Sequence, residues 1–299
     1  MAALPPARQL TLCADDFGLN AGVSEGIAQL VRSGRLCAVS CITNNFNWLA
    51  TVSLLDQHQD DVSLGLHINL TEGRPLSRAL ARVWPRLPSL PRLILQAHAG
   101  VLPREALRAE MQAQLEAFRV GTGRVPSHVD GHQHVHHLPV VRGLLLELLE
   151  EVVPAPAVRN TACLPGADFP LKRWLIRRTG GAALQPELVA RKLAHNSVLL
   201  GVYDFGPGDY GAWMRRWLDL LPASGGLLFC HPGLGGGQDE ADAIGSARTR
   251  EFAYLAGDTF LQDLEAARVV LVRRDGPQEN VQRLLIPKVS NKARPVAST

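Results

Sequence analysis

The chain has 299 residues, 46% of them hydrophobic and 20% charged, which is an ordinary globular composition with material for a sizeable α/β core. Its net charge is only +3 and its arginines are scattered, so composition excludes a nucleic-acid-binding protein built on a basic run. No apolar run reaches the roughly 18 residues of a membrane span, "MAALPPARQLTLC" lacks the apolar core of a signal peptide, and five cysteines without a CxxC pair read as buried thiols. A cytoplasmic protein in a reducing compartment is predicted.

Residues 8–14, "RQLTLCA", predict a buried strand that ends at Asp15-Asp16-Phe17-Gly18. Residues 20–33 predict a helix capped by Asn20 and closed by Gly34. "LCAVSCI" (36–42) predicts a second strand, 46–57 a helix, and "VSLGLHINL" (62–70) a third strand. Residues 73–103 are rich in Pro, Arg and Leu without a clean period, which predicts a lid, a small insertion or a mobile loop. The strongest helical pattern is "REALRAEMQAQLEAF" from residue 104. A short strand at 126–132, a helix at 138–151 and a short strand at 157–160 follow. Residues 168–195 predict helical pieces broken at Gly180-Gly181 and at Pro186. "SVLLGVYDF" (197–205) reads as a strand or as a helix end. Helix 209–221, strand 226–233, helix 246–267 and strand 268–273 complete the pattern. The last stretch, 276–299, reads as a polar tail. Strands alternating with helices predict a parallel sheet of about seven strands, either doubly wound or closed as a barrel.

Four of these strands finish in acidic or imidazole residues: Asp15-Asp16, His67 with Asn69, Asp130 with His132, and His231. Burying such groups unpaired is costly, and both candidate architectures gather their sites at the carboxyl ends of strands. Four such endings predict one shared focus. Successive side chains of a strand point to opposite faces, so Asp15 and Asp16 reach one site only if the chain leaves the strand, with Phe17-Gly18 as the exit. There the two divide the labour, one holding a cation and the other accepting a proton; otherwise one caps the next helix and the other is solvated. His67 in "LGLHIN" is a core histidine unless partners exist. "HVDGHQHVHH" (128–137) holds five of the ten histidines. His128, Asp130, His132, His134 and His136 lie at spacing two and share a face wherever the segment is a strand. This internal, interleaved run is either a solvated loop or metal-linked. Asp16, His67 and His132 would form a two-histidine, one-carboxylate set that leaves coordination positions open. His231, between Cys230 and Pro232, suits a general acid or a core position. Tyr203, Phe205, Tyr210 and Trp213 stack on a ligand or pack the core.

"ADDFGLN" (14–20), "GLHINLTEG" (65–73), "HVDGHQHVH" (128–136) and "HPG" (231–233), in this order, resemble the YdjC-like carbohydrate deacetylases, also called the ChbG/HpnK family. The resemblance implies a distorted (β/α) barrel, with a single deacetylase domain over 1–275. It also implies hydrolytic removal of an acetyl group from an N-acetylated sugar. Carried over by position, it makes Asp16, His67 and His132 the ligands of one divalent metal ion and Asp15 the base, and places His231 at the site. His128 and His136 match motif positions without an assigned role; with Asp130 and Asn69 they are candidates for contacting substrate or supporting the ligands. Ligand softness favours Zn²⁺, while family members are commonly described as Mg²⁺ proteins. A homodimer is a family-level expectation. The residues alone leave two other classes open, another metal-dependent hydrolase such as a phosphoesterase and a non-catalytic metal- or sugar-binding protein. "GLGGGQDE" (233–240) lacks the Lys-Ser/Thr ending of a phosphate loop and reads as a flexible loop.

Overall fold

The computed structural model describes residues 6–235, 242–274 and 281–283. Most of the region read as a polar tail, and the Gly-rich loop beyond Gly235, lie outside them. Period-two patterning sets the sheet. In β1 (Arg8–Phe17), Leu10, Leu12 and Ala14 join the main apolar cluster. Thr11, Cys13 and Asp15, on the other parity, take polar partners in the interior. The same alternation recurs in β2 (Ala38–Cys41), β3 (Ser63–Ile68) and β4 (His128–Gly131). Ser40, His67, His128 and Asp130 have the inner parity, while Val39, Leu64, Leu66 and Val129 belong to the apolar cluster. Each strand is thus greasy on its helix side and polar on the other, the opposite of a barrel filled with branched aliphatics.

With β5 (Ala157–Val158), β6 (Leu199–Leu200) and β7 (Gly226–Cys230), the parallel order is β5-β4-β3-β2-β1-β7-β6. These seven strands curl into a half-barrel. Single backbone hydrogen bonds, Val158 N to Ala194 O and Leu199 N to Cys163 O, span the gap between its ends. β8 (Val269–Arg274) pairs parallel with Arg8–Leu10 of β1. Since β7 already occupies the other edge of Leu10, β8 and β2 share one edge of β1 in succession. β9 (Val281–Arg283) pairs antiparallel with β8, inside the stretch read as tail.

Eleven helices connect these strands among the described residues. α1 (Ala21–Arg32) starts where expected, with Asn20 Oδ1 accepting from Val23 N at 2.8 Å. α2 (Trp48–Val52) is shorter than predicted. Residues 73–103 are not a mobile loop. They contain α3 (Arg78–Val83) and α4 (Leu90–His98), which bury Leu80, Leu93 and Ala97. Buried Glu110 on α5 (Arg104–Thr122) pins the entry to this insertion, accepting from Leu76 N at 3.0 Å and Ser77 N at 2.7 Å. α6 (Val141–Glu150) precedes β5. α7 (Pro170–Ile176) and α8 (Ala182–Ala190) meet at a wide turn where Gly180 has φ 152°. A side chain there would run into the His137 carbonyl. Pro186 does not break the chain as predicted; α8 continues through it and forgoes the bond its missing N–H would make. After α9 (Tyr210–Leu220), the single helix expected at 246–267 is two, α10 (Gly245–Ala256) and α11 (Asp258–Ala266), divided at Gly257. All five cysteines are free; Cys163 is exposed, and the other four are buried as read.

Candidate active site

Asp15 and Asp16 reach one cavity because β1 bulges between them. Its register with β2 shifts between Ala14 and Phe17, and Asp16 takes φ 71°. A non-glycine residue rarely adopts that backbone, and Asp is among the few that tolerate it. The strand therefore does not exit at Phe17-Gly18; it continues through Phe17 with a kink inside it. Gly18 follows at φ 96°, where a side chain would drive into the Ile42 carbonyl oxygen. Both carboxylates line a cavity of about 770 Å³, together with His132, His231, Glu72 and Arg248.

Strand register places the rest. His67 and Asp130 are partners across β3 and β4, and His67 Nδ1 donates to Asp130 Oδ1 at 2.6 Å. The opposite ring nitrogen, Nε2, lies 3.3 Å from Asp16 Oδ1. After β4 the chain turns sharply, with Gln133 and His134 in the left-handed region, so the spacing-two face ends at Asp130. This turn sends His132 Nδ1 to Asp16 Oδ1 at 2.7 Å and its Nε2 to Glu72 Oε1 at 3.0 Å. Asp16, His67 and His132 are all buried, and one donor atom from each lies within 4.8 Å of the others.

The set suits a divalent cation. Two imidazole nitrogens converge on one carboxylate oxygen, and a carboxylate backs the far nitrogen of each ring, the usual support for metal-binding histidines. Without a cation, protons take its place. Burial alone would lower both imidazoles, but the surrounding carboxylates override it, raising His67 to about 10 and His132 to about 9. Burial likewise would raise Asp16, yet His132 and Arg248 hold it well below the usual carboxylate range. Arg248 on α10 donates to Asp16 Oδ2 at 2.8 Å and to Asp242 at 2.6 Å.

Asp15 is held differently. Arg159, just after β5, forks onto its two oxygens at 2.6 Å each and also meets Asp130 Oδ2 at 2.5 Å. Two overlapping groupings, Asp15–His67–Asp130 and Cys13–His128–Asp130, also bring three donors together. The Arg159 cation already sits among them, bonding Cys13, Ser40 and both carboxylates. They are structural ion-pair networks, not vacant metal sites.

His231, at the end of β7, lines the cavity with its ring edge-on to Phe205 at 5.1 Å and Phe229 at 5.4 Å. Its Nδ1 is buried without a hydrogen-bond partner among the described residues. Burial, only partly opposed by Asp16 and Asp15, lowers it to about 4, so the free site holds it neutral. Its backbone N–H donates to buried Glu251 at 2.6 Å, and Tyr203 donates to the same carboxylate.

The remaining predicted residues lie behind the cavity. His128 meets Ser40 Oγ at 3.0 Å, and Ser40 donates to Asp130 at 2.7 Å. Gly65 stands between them in register, and a Cβ there would collide with the His128 ring. His136 Nε2 contacts the Arg159 carbonyl at 2.9 Å. Asn69 shapes the 69–72 turn, accepting from the Thr71 and Glu72 N–H groups. Of the four aromatic candidates only Phe205 lines the cavity. Tyr203 and Tyr210 are core residues, and Trp213 packs on Phe169 at 4.9 Å. Sequence reasoning missed Arg159, Arg248, Glu72 and Glu251. An Arg inside the apolar strand "AVRN" is a usable signal, and Glu72 lies within "GLHINLTEG" (65–73); Arg248 and Glu251 are single charges on a helix and carry none.

Fold and donor set together define an α/β half-barrel protein with a candidate metal centre at the carboxyl ends of its strands. The chain belongs to the YdjC-like protein family, whose model matches residues 9–266. It is 32% identical to a mouse carbohydrate deacetylase over 76% of this chain and 79% of that one. It is 31% identical to a chitooligosaccharide deacetylase of Escherichia fergusonii over 54% of this chain and 64% of that one. The match to the human carbohydrate deacetylase, at 35% identity, spans 48% of this chain and about half (46%) of that protein. Among solved structures, an Enterococcus faecalis protein described as a candidate cellobiose-phosphate cleavage protein superposes with TM-score 0.69. The two share 19% identity over 89% of this chain and 97% of that one, a likeness of fold.

Proposed function

We propose that this chain is a divalent-metal-dependent hydrolase that removes the acetyl group from an N-acetylated sugar. The observation that carries the reading is the pairing of a three-donor set with a second, separately held carboxylate in one cavity. The names of the family relatives supply the substrate class. A binding protein would not need that second carboxylate to face the cavity, and a phosphoesterase would add a second metal or an anion cradle.

Asp16, His67 and His132 would hold the ion. A divalent ion there supplies Lewis acidity to a carbonyl oxygen and acidity to water. Asp15 accepts the proton of the attacking water. The Arg159 fork fixes its plane, and each carboxylate oxygen keeps a further lone pair for that proton. His231 is neutral in the free site, so it must gain a proton before it can hand one to the departing amine, and the proton that Asp15 takes from the attacking water balances that need. Phe205 and Phe229 wall the imidazole from solvent, and Arg248 fixes the orientation of Asp16.

The test is acetate release from a panel of N-acetylated sugars by metal-stripped protein, with Zn²⁺ or Mg²⁺ restored, beside Asp15→Asn and His132→Ala. Metal-dependent release lost in both variants is the expected result, and the add-back identifies the ion. Stoichiometric metal binding with no release from any substrate would refute the reading.

A further inference from the structure

Two segments flank the mouth of the cavity, and both lack acidic residues. Residues 73–103 contain Arg74, Arg78, Arg82, Arg86 and Arg92 with no Asp or Glu; residues 170–183 contain Lys172, Arg173, Arg177 and Arg178, again with none. In a chain of net charge +3, that is a local concentration of one sign. Arg92, Arg177 and Arg178 are exposed and have no carboxylate partner among the described residues.

These segments also expose apolar side chains. Leu95 on α4 is 71% exposed, and on α7 Leu171 is 68% and Trp174 56% exposed. Each helix turns a second face into the cavity, Leu90 and Ile94 from α4, Leu175 and Ile176 from α7. Exposed leucine and tryptophan beside unpaired arginines is the pattern of a helix that lies in a lipid interface. A lone exposed leucine is unremarkable; here the exposed apolar residues and the unpaired cations are carried by, or directly follow, the two helices whose other faces line the cavity, and Trp174, Arg177 and Arg178 border a groove of their own beside Arg173.

We propose that α4 and α7 form a docking face for an anionic bilayer surface, which holds the cavity they border near the lipid. The charge selects this partner. A second copy of the chain, meeting the same face across a two-fold axis, would bring together two faces that both carry unpaired arginines. Anionic headgroups neutralise them, while Leu171, Trp174 and Leu95 enter the headgroup–acyl boundary. Docking depends on these surfaces and not on the reaction.

The test is co-sedimentation of the full chain with vesicles of phosphatidylcholine alone or mixed with phosphatidylglycerol. The expected result is binding to the mixed vesicles only, released by salt. Arg177→Ala/Arg178→Ala is expected to lower partitioning by roughly tenfold or more, and Trp174→Ser to weaken it while leaving the melting temperature unchanged. Quenching of Trp174 by brominated lipid, lost in Trp174→Phe, would place that ring in the bilayer. Absence of binding to the mixed vesicles overturns the proposal. So does binding that both variants retain, which would place the contact elsewhere on the chain. A wild-type dimer that Trp174→Ser dissolves, without vesicle binding, would assign the face to a second copy instead.

Discussion

Replacing Arg159 by Met removes the guanidinium that bridges Asp15 and Asp130. All three residues are at most 2% exposed, so water cannot take over its role. Breaking a buried pair by removing one partner costs about 3–5 kcal/mol, because the remaining charge stays desolvated. Here two carboxylates are left, although His67 still faces Asp130. The expected loss is at the upper end of that range, a third or more of a typical stability of about 5–15 kcal/mol. The pH dependence tests the cause. In the wild type, burial alone would raise the Asp130 carboxyl, but Arg159 and His67 override it and hold it well below the ordinary range. Its contribution is thus present above the unfolded value of about 4 and is lost as pH falls below it. In Arg159→Met, burial works against a weaker opposition and the carboxyl rises. Its penalty is then largest at high pH and is relieved by protonation on acidification. Urea unfolding of metal-free wild type and variant at about pH 8 and pH 5 should show the gap narrowing at the lower pH. A gap below about 1 kcal/mol at pH 8, or one that does not narrow, would refute the assignment of Arg159 as the counter-ion of both carboxylates. Arg159→Lys, which keeps the charge and loses the fork, should fall between the two.

Asp15→Asn should lower turnover by about 10²–10⁴ with metal content unchanged by atomic absorption; metal loss in step with activity would make Asp15 a ligand. Glu72→Gln should weaken metal affinity by about 10–100-fold in isothermal titration, and an unchanged affinity would remove Glu72 from the support of His132. Because His67 is raised to about 10 and His132 to about 9, both are protonated in the metal-free site at neutral pH. Binding an ion should therefore release protons and tighten as pH rises toward 9; titrations in buffers of different ionisation enthalpy count those protons, and a count of zero contradicts the assignment. Burial raises Glu251 to about 7, against the pull of Tyr203 and the His231 N–H. Its folded value lies above its unfolded one, so its contribution is lost as pH climbs from about 4.5 to 7. Glu251→Gln should flatten the stability curve over that window, and a melting profile that keeps its slope would disprove it.

The site was legible to the extent that chemistry is written in residue type at strand ends. Asp16, His67, His132 and His231 each close an apolar strand or the turn after it, and their convergence followed from parallel topology alone. The division between Asp15 and Asp16 was not legible. It depends on the left-handed backbone at Asp16, and the sequence shows two identical side chains. Arg159 and Arg248 escaped because a buried arginine is identified by what surrounds it, and the carboxylates they hold in the site, Asp15 and Asp16, lie more than a hundred residues away. The spacing-two histidines misled beyond Asp130, because the turn at Gln133–His134 gives way to a different geometry. In residues 73–103 the apolar positions Leu90, Leu93, Ile94 and Ala97 do follow a helical period. Five prolines interrupt the window and hide it.

The kink inside β1 has a mechanical consequence. Asp15 and Asp16 ride on consecutive α-carbons, which a trans peptide keeps about 3.8 Å apart. His67 and His132 arrive from other strands, and only packing and hydrogen bonds set their distance from Asp16. Heating, pressure or a loosened core can spread the strands, but cannot stretch that one peptide. In the proposed reaction the grip of the imidazoles would be the compliant part of the centre, and the α-carbon spacing of the proposed proton acceptor and the proposed anionic ligand its rigid gauge, with Arg159 and Arg248 setting where the two carboxylates point. As the protein is warmed toward unfolding, release of an ion held in the proposed way should come before any change in the spacing of those two α-carbons.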